Sequence, residues 1–146
     1  MSIILDGTTG ITTTAPITTA NGGTGLSAAG TSGNVLTSDG TNWTSSAQTG
    51  LGYGQTWTDV TASRALVTSY TNSTGKPILV LVTVSGGSAD NRFTATCNGV
   101  AIIRVQTVVS GAGYNANLSF VVPNSGTYSV TQSGTGGSIS LWTELR

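Results

Sequence analysis

The chain has 146 residues, of which only 7% are charged, and five Lys+Arg against five Asp+Glu leave no formal net charge. Soluble domains typically carry about 25% charged residues, so solubility here rests on Ser, Thr, Asn and Gly, and no electrostatic footprint for nucleic acid or an anionic membrane is present. With no His the commonest metal ligand and general base is missing, and a single Cys allows no intrachain disulfide.

No charged n-region followed by an apolar h-region opens the sequence, and no apolar run approaches the ~20 residues of a membrane span. Cytoplasmic synthesis without Sec export is the expectation. No metal and no cofactor is predicted, and neither nucleic acid nor a membrane is expected as a partner.

Residues 1–48 form a compositional segment of their own, rich in Thr, Ser and Gly, with large apolar residues spaced out as Ile3, Ile4, Leu5, Ile11 and Ile17. Ordering each residue costs roughly 1 to 2 kcal/mol of backbone entropy. Burying one Ile returns only about 1.5 to 3 kcal/mol, so this arm is not expected to fold alone. Partner chains must supply the missing contacts. The arrangement expected is three intertwined copies, with the aliphatic residues on a common axis and Thr and Ser outward.

A Gly-rich bend, NGGTG at residues 21–25, leads into GTSGNVLTSDGTNW at residues 30–43. The second stretch reads as a hairpin in which residues 34–38 turn tightly at Asp39-Gly40 against residues 41–45, carrying Trp43. This order of Gly, Val-Leu, Asp-Gly and Trp resembles a recurrent element of bacteriophage tail fibres and tailspikes. The resemblance implies a trimeric connector and no chemistry.

Residues 49–54 form a Gly-rich joint, and residues 55–146 a second domain. A first strand is predicted over residues 55–61, an irregular turn at residues 62–64, and a short strand over residues 66–71. The stretches GQTWTDVTASR from Gly54, YTNSTGKPI from Tyr70 and the closing LWTELR resemble a distal β-sandwich domain found at the tips of phage fibres and tailspikes.

The most apolar stretch of the chain follows, GKPILVLVTVSG at residues 75–86. Ile78, Leu79, Val80, Leu81, Val82 and Val84 run on without polar/apolar alternation, between breakers, so both faces of this strand are predicted to be buried. One face is assigned to the domain core and the other to symmetry mates, which places Ile78, Val80, Leu81, Val82 and Val84 in the core or the trimer interface.

Asn98-Gly99 is a strong two-residue hairpin signal between strands at residues 92–97 and 100–109, predicting Cys97 opposite Val100 and Ala95 opposite Ile102. Leu118, Phe120 and Val122 alternate with Ser119 and Val121 before Pro123, and a strand at residues 127–132 follows. In the closing strand Ile139, Leu141, Thr143 and Leu145 are predicted on one face, with Ser140, Trp142, Glu144 and Arg146 on the other. The fold class expected is all-β: an extended N-terminal arm plus small hairpin, then a C-terminal antiparallel β-sandwich, jelly-roll-like, in an intertwined homotrimer.

Chemical candidates are few. A glycosidase needs only two carboxylates roughly 5 to 10 Å apart, yet Asp59, Asp90 and Glu144 are the only acids beyond the joint and none lies in an acidic cluster. Asp59 is assigned to Arg64 or to turn amides and Glu144 to a neighbouring Arg, and no histidine exists to activate a serine. No catalytic residue is assigned. Cys97 is read as a small buried thiol, and the glycines at 50, 52 and 54 lack the Lys-Ser/Thr of a nucleotide loop.

Three Asn-x-Ser/Thr matches, at Asn42, Asn72 and Asn117, are read as chance. Trp57 and Trp142 are assigned to packing. Tyr114 and Asn115, in a Gly-rich loop, are the candidate contacts for a glycan. The resemblances together imply a bacteriophage structural protein on the virion surface, made in the host cytoplasm. Ile3, Ile4, Leu5, Ile11 and Ile17 are its anchor to the major capsid protein or another virion protein. The short plan of arm, hairpin and sandwich suits a capsid decoration, or cement, protein, and the alternative is the receptor-binding tip of a short tail fibre or tailspike.

Overall fold

A computed structural model describes residues 4–6, 10–12, 15–87, 91–107 and 114–146, the first two of these segments as backbone only. The chain divides into two compact units, Met1–Gln48 and Thr49–Arg146. Among the described residues the regular structure is β-strand with two short 3-10 turns, and every strand pairing is antiparallel.

In the first unit β1 (Ile4–Asp6) pairs with β2 (Gly10–Thr12), with Leu5 opposite Ile11. Ile3 lies outside the described residues. The NGGTG bend is a 3-10 turn over Thr19–Asn21 ended by Gly22 at φ +81°, after which the Gly23 and Gly25 amides donate back to the Thr18 and Ile17 carbonyls. Gly23 is required sterically, because a Cβ there would run into the Ile17 carbonyl.

β3 (Val35–Ser38) and β4 (Trp43–Ser46) form the expected hairpin, but the turn is longer than the sequence suggested. Ser38 pairs with Trp43, so residues 39–42 form a four-residue loop rather than a two-residue turn at Asp39-Gly40. The Asp39 side chain stabilises it, Oδ1 accepting the Thr41 and Asn42 amides at 2.8 and 2.7 Å. That local capture of backbone donors outcompetes the tighter turn. None of residues 15–48 is buried; Ile17 is half-buried, and Leu36 and Trp43 are 48% and 40% exposed.

The second unit contains β5 (Trp57–Asp59), β6 (Tyr70–Thr71), β7 (Ile78–Ser85), β8 (Asn91–Cys97), β9 (Val100–Thr107), β10 (Asn115–Val122), β11 (Thr127–Ser133) and β12 (Ser138–Leu145). They form two four-stranded sheets, ordered β10-β7-β12-β5 and β6-β11-β8-β9. The pairing is nested: β8 with β9, β7 with β10, β6 with β11, and β5 with β12. The unit is therefore one long two-stranded ribbon folded over on itself, with β7–β12 and β8–β11 contacts closing the sheets.

Both sheets contribute to a single core, sandwich-like, of Ile78, Val80, Val82, Val84, Phe93, Ala95, Leu118, Phe120, Val122, Tyr128, Val130 and Trp142. As the sequence pattern predicts, Leu118, Phe120 and Val122 point inward. The Asn98-Gly99 turn has both residues at positive φ, 49° and 79°, as a tight hairpin turn requires.

Along β7, Ile78, Val80, Val82 and Val84 fill the core face, and Leu81 lies on the outer face, the one assigned to symmetry mates, 37% exposed within one chain. Several placements differ from the sequence reading, each for a local reason. Ala95 pairs with Ile103 and not Ile102, because a bulge follows Ala95 while Cys97 still faces Val100.

A second bulge, at Ser140 between Ile139 and Leu141, switches the parity of β12. Ile139 consequently packs on the core with Trp142 and Glu144, and only Leu141, Thr143 and Leu145 share the outer face. The first predicted strand is shorter than expected, since Asp59 Oδ1 accepts the Thr61 amide at 2.9 Å and starts a 3-10 turn over Thr61–Ser63. Trp57, assigned to packing in the core or at an interface, lies outside the core and is 51% exposed within one chain.

Candidate functional site

Among the described residues the second unit buries one acid. Glu144 is fully buried, on the same inward face of β12 as Trp142. Its Oε1 accepts Arg64 Nε at 2.9 Å, the Tyr128 hydroxyl at 2.7 Å and Trp142 Nε1 at 3.2 Å. Oε2 accepts Arg64 Nη2 at 3.1 Å and Arg146 Nη1 at 2.9 Å. Two arginines thus straddle one carboxylate whose lone pairs are all engaged.

Local structure delivers each member. The 3-10 turn is held to β12 by the Val60 amide donating to the Trp142 carbonyl and the Trp142 amide donating to Thr61 Oγ1, at 2.9 and 2.8 Å. This places Arg64 beneath Tyr70, whose ring centroid is 4.4 Å from the guanidinium carbon and whose hydroxyl accepts the Ala65 amide. Tyr70, Tyr128 and Trp142 then pack edge-on or tilted, with ring centroids 5.9 to 6.4 Å apart.

Burial alone would raise the Glu144 pKa, but hydrogen bonds from Arg64 and Tyr128 and the charges of both arginines outweigh it and hold the carboxyl below its usual range. For Tyr128, burial first and then the Glu144 carboxylate push the phenol up to about 12. A saturated, solvent-free carboxylate has no free lone pair for a substrate proton, so the arrangement is a structural clamp joining β12, β11 and the 3-10 turn. Sequence reasoning paired Glu144 with an arginine but missed Tyr128 and the burial. The available signal was the shared parity of Trp142 and Glu144.

The other candidates are dispersed. Tyr114 is 51% exposed and Asn115 is exposed at the start of β10, while the rest of their Gly-rich loop, like Asp90, lies outside the described residues. Asp59 is exposed, and hydrogen bonds from the Thr61 side chain and amide hold its carboxyl below the usual range. Cys97 is half-buried, and burial pushes its thiol up, away from thiolate reactivity. Among the described residues no three His, Cys, Asp or Glu side chains gather as a metal site, and no helix is long and apolar enough to cross a membrane.

Asn72, at the second Asn-x-Ser/Thr match, is buried with Nδ2 donating to the Lys76, Val122 and Pro123 carbonyls. It is a junction of the fold and inaccessible to a glycan. Asn91 Oδ1 and Gln132 Oε1 are buried and have no hydrogen-bond partner among the described residues. A Cβ at Gly134 or Gly137 would collide with these oxygens, so glycine is required beside them. Comparison with protein families, curated proteins and solved structures found no match to the chain.

Proposed function

We propose that the chain is a structural protein of a bacteriophage virion: a homotrimer that decorates the capsid shell as a cement protein, with its second unit facing outward. The observation that carries this reading is the first unit. None of residues 15–48 is buried, and Leu36 and Trp43 stand open. A segment with so little core does not offset its ordering entropy by itself, and further copies of the chain together with a shell protein are the cover proposed.

Two further features support it. The Gly-rich bend and hairpin motifs resemble those of phage fibres, where they connect trimers. The nested strand order of the second unit is that of a jelly roll, an architecture frequent in viral capsid and lectin domains. In this reading the second unit also touches glycans of the host surface and carries out no catalysis. The hairpin's resemblance to fibre connectors favours one alternative, the receptor-binding tip of a short tail fibre or tailspike.

Reconstruction of the intact particle tests the reading. Density for trimers at many icosahedral positions is the expected result. A few copies confined to the tail would replace it with the fibre-tip alternative, and absence from the particle would refute both.

A further inference from the structure

The outward face of the β10-β7-β12-β5 sheet is uncovered within the second unit, and its residues fall in registered rows. Val121, Leu79, Leu145 and Trp57 form one apolar row across all four strands. It ends in an indole that is 51% exposed. In the next row Asp59 stands directly opposite Thr143. Trp57 and Asp59 are two residues apart on one face of β5, about 6.6 Å along the strand.

Beside them, a depression of about 310 Å³ has Leu81 and Leu141 in its lining and hydroxyl and amide groups of Ser119, Thr83 and Asn117 around it. Thr83 Oγ1 donates to Asn117 Oδ1 at 2.8 Å, which orients the Asn117 amide nitrogen as a donor.

The charge pattern selects the occupant. Among the described residues of these four strands, Asp59 is the one charge presented outward, and no cation accompanies it. Within these strands an anionic ligand would meet the Asp59 carboxylate and no cation. An apolar protein surface would strip water from Asp59, Thr143 and Asn117 without replacing their hydrogen bonds. A sugar ring has what the face asks for: an apolar C–H side for the indole, and hydroxyls that donate to a carboxylate and accept from an amide.

We propose that this face binds an uncharged saccharide, with one pyranose ring stacked on Trp57, its vicinal hydroxyls donating to Asp59, and the chain of sugars continuing past Thr143 toward Asn117. The inference rests on the glycan-contact part of the proposed function; it moves that contact from Tyr114 and Asn115 to the sheet, and it puts a saccharide in place of the symmetry mates expected on this face, leaving trimer contacts to the first unit.

Calorimetric titration of the full-length protein with cellohexaose, maltohexaose, N-acetylchitohexaose and a heparin hexasaccharide tests it. Binding of at least one neutral oligomer is expected, weakened at least about tenfold, 1.4 kcal/mol, by Trp57→Ala. Trp57→Phe should keep most of the affinity, Asp59→Asn should lower it several-fold, and Tyr114→Ala should leave it unchanged. Light scattering on the same samples should give one mass for all variants.

Binding of heparin alone, or equal affinity in Trp57→Ala, overturns the site. A drop in mass for Trp57→Ala overturns it too, marking the face as a contact between copies. Loss of binding in Tyr114→Ala alone would keep the glycan reading and reject this location. Binding of none of the four rejects the saccharide site, while the particle reconstruction still decides the virion reading separately.

Discussion

Replacing Arg64 with methionine removes one of the two cations from the buried Glu144 carboxylate while keeping much of the aliphatic stem. The structure sets the size of the effect. Two hydrogen bonds to the carboxylate, 2.9 and 3.1 Å long, and the contact with the Tyr70 ring are lost. Arg146, Tyr128 and Trp142 remain on Glu144, so the charge is under-compensated rather than bare. Breaking a buried pair from one side costs about 3 to 5 kcal/mol, and the remaining donors place this case near 3 kcal/mol. In urea denaturation followed by near-ultraviolet circular dichroism, with a slope near 1.5 kcal/mol per molar, that is a midpoint lower by about 2 M. The double variant Arg64→Met/Glu144→Leu removes the stranded charge and should recover at least about 2 kcal/mol of the loss. A cost below about 1 kcal/mol for Arg64→Met, or a double variant no more stable than the single one, would refute the clamp.

Other outcomes follow from the same geometry. Because the folded Glu144 pKa lies below the ordinary carboxyl value of 4.5, its stabilisation is complete above that pH and is lost as pH falls through the lowered folded value. Melting temperature should decline below about pH 4.5, and Glu144→Gln should start lower and flatten that decline; an unchanged acid slope in the variant contradicts the assignment. On the alkaline side the Tyr128 phenol is raised from 10.0 to about 12, so stability present below pH 10 should fall between these values. Tyr128→Phe should remove the loss, as read by melting scans from pH 8 to 12. Gly134→Ala, at φ +118° with Asn91 Oδ1 in the way, should cost about 2 kcal/mol or more, whereas Gly99→Ala, with open space around it, should cost only about 1 kcal/mol of backbone strain. Equal urea midpoints for the two would refute the close packing at Gly134.

The strands were legible where period and punctuation agreed. Leu118, Phe120 and Val122 ended by Pro123, and Asn98-Gly99 between two β-rich runs, could be placed because each is set by neighbours in sequence. What resisted reading was set by partners far along the chain. The bulge at Ser140 follows from how β12 meets β7, and it alone puts Ile139 and Glu144 on one side. The tight turn expected at Asp39-Gly40 failed because a side-chain oxygen captured two amides. The hydrophobicity of Leu81 and Trp57 says nothing of which face they occupy; registration with Thr143 and Leu145 puts both outward. Tyr114 is a glycan candidate by its loop alone, whereas the exposed indole beside a carboxylate on β5 is visible only through cross-strand pairing.

In the proposed function the first unit needs other copies of the chain to cover it. Multi-angle light scattering of the full-length protein at micromolar concentration reads this most directly. The expected mass is about three times the 14.6 kDa of one chain, and a stable 14.6 kDa monomer with an ordered first unit would contradict the proposal.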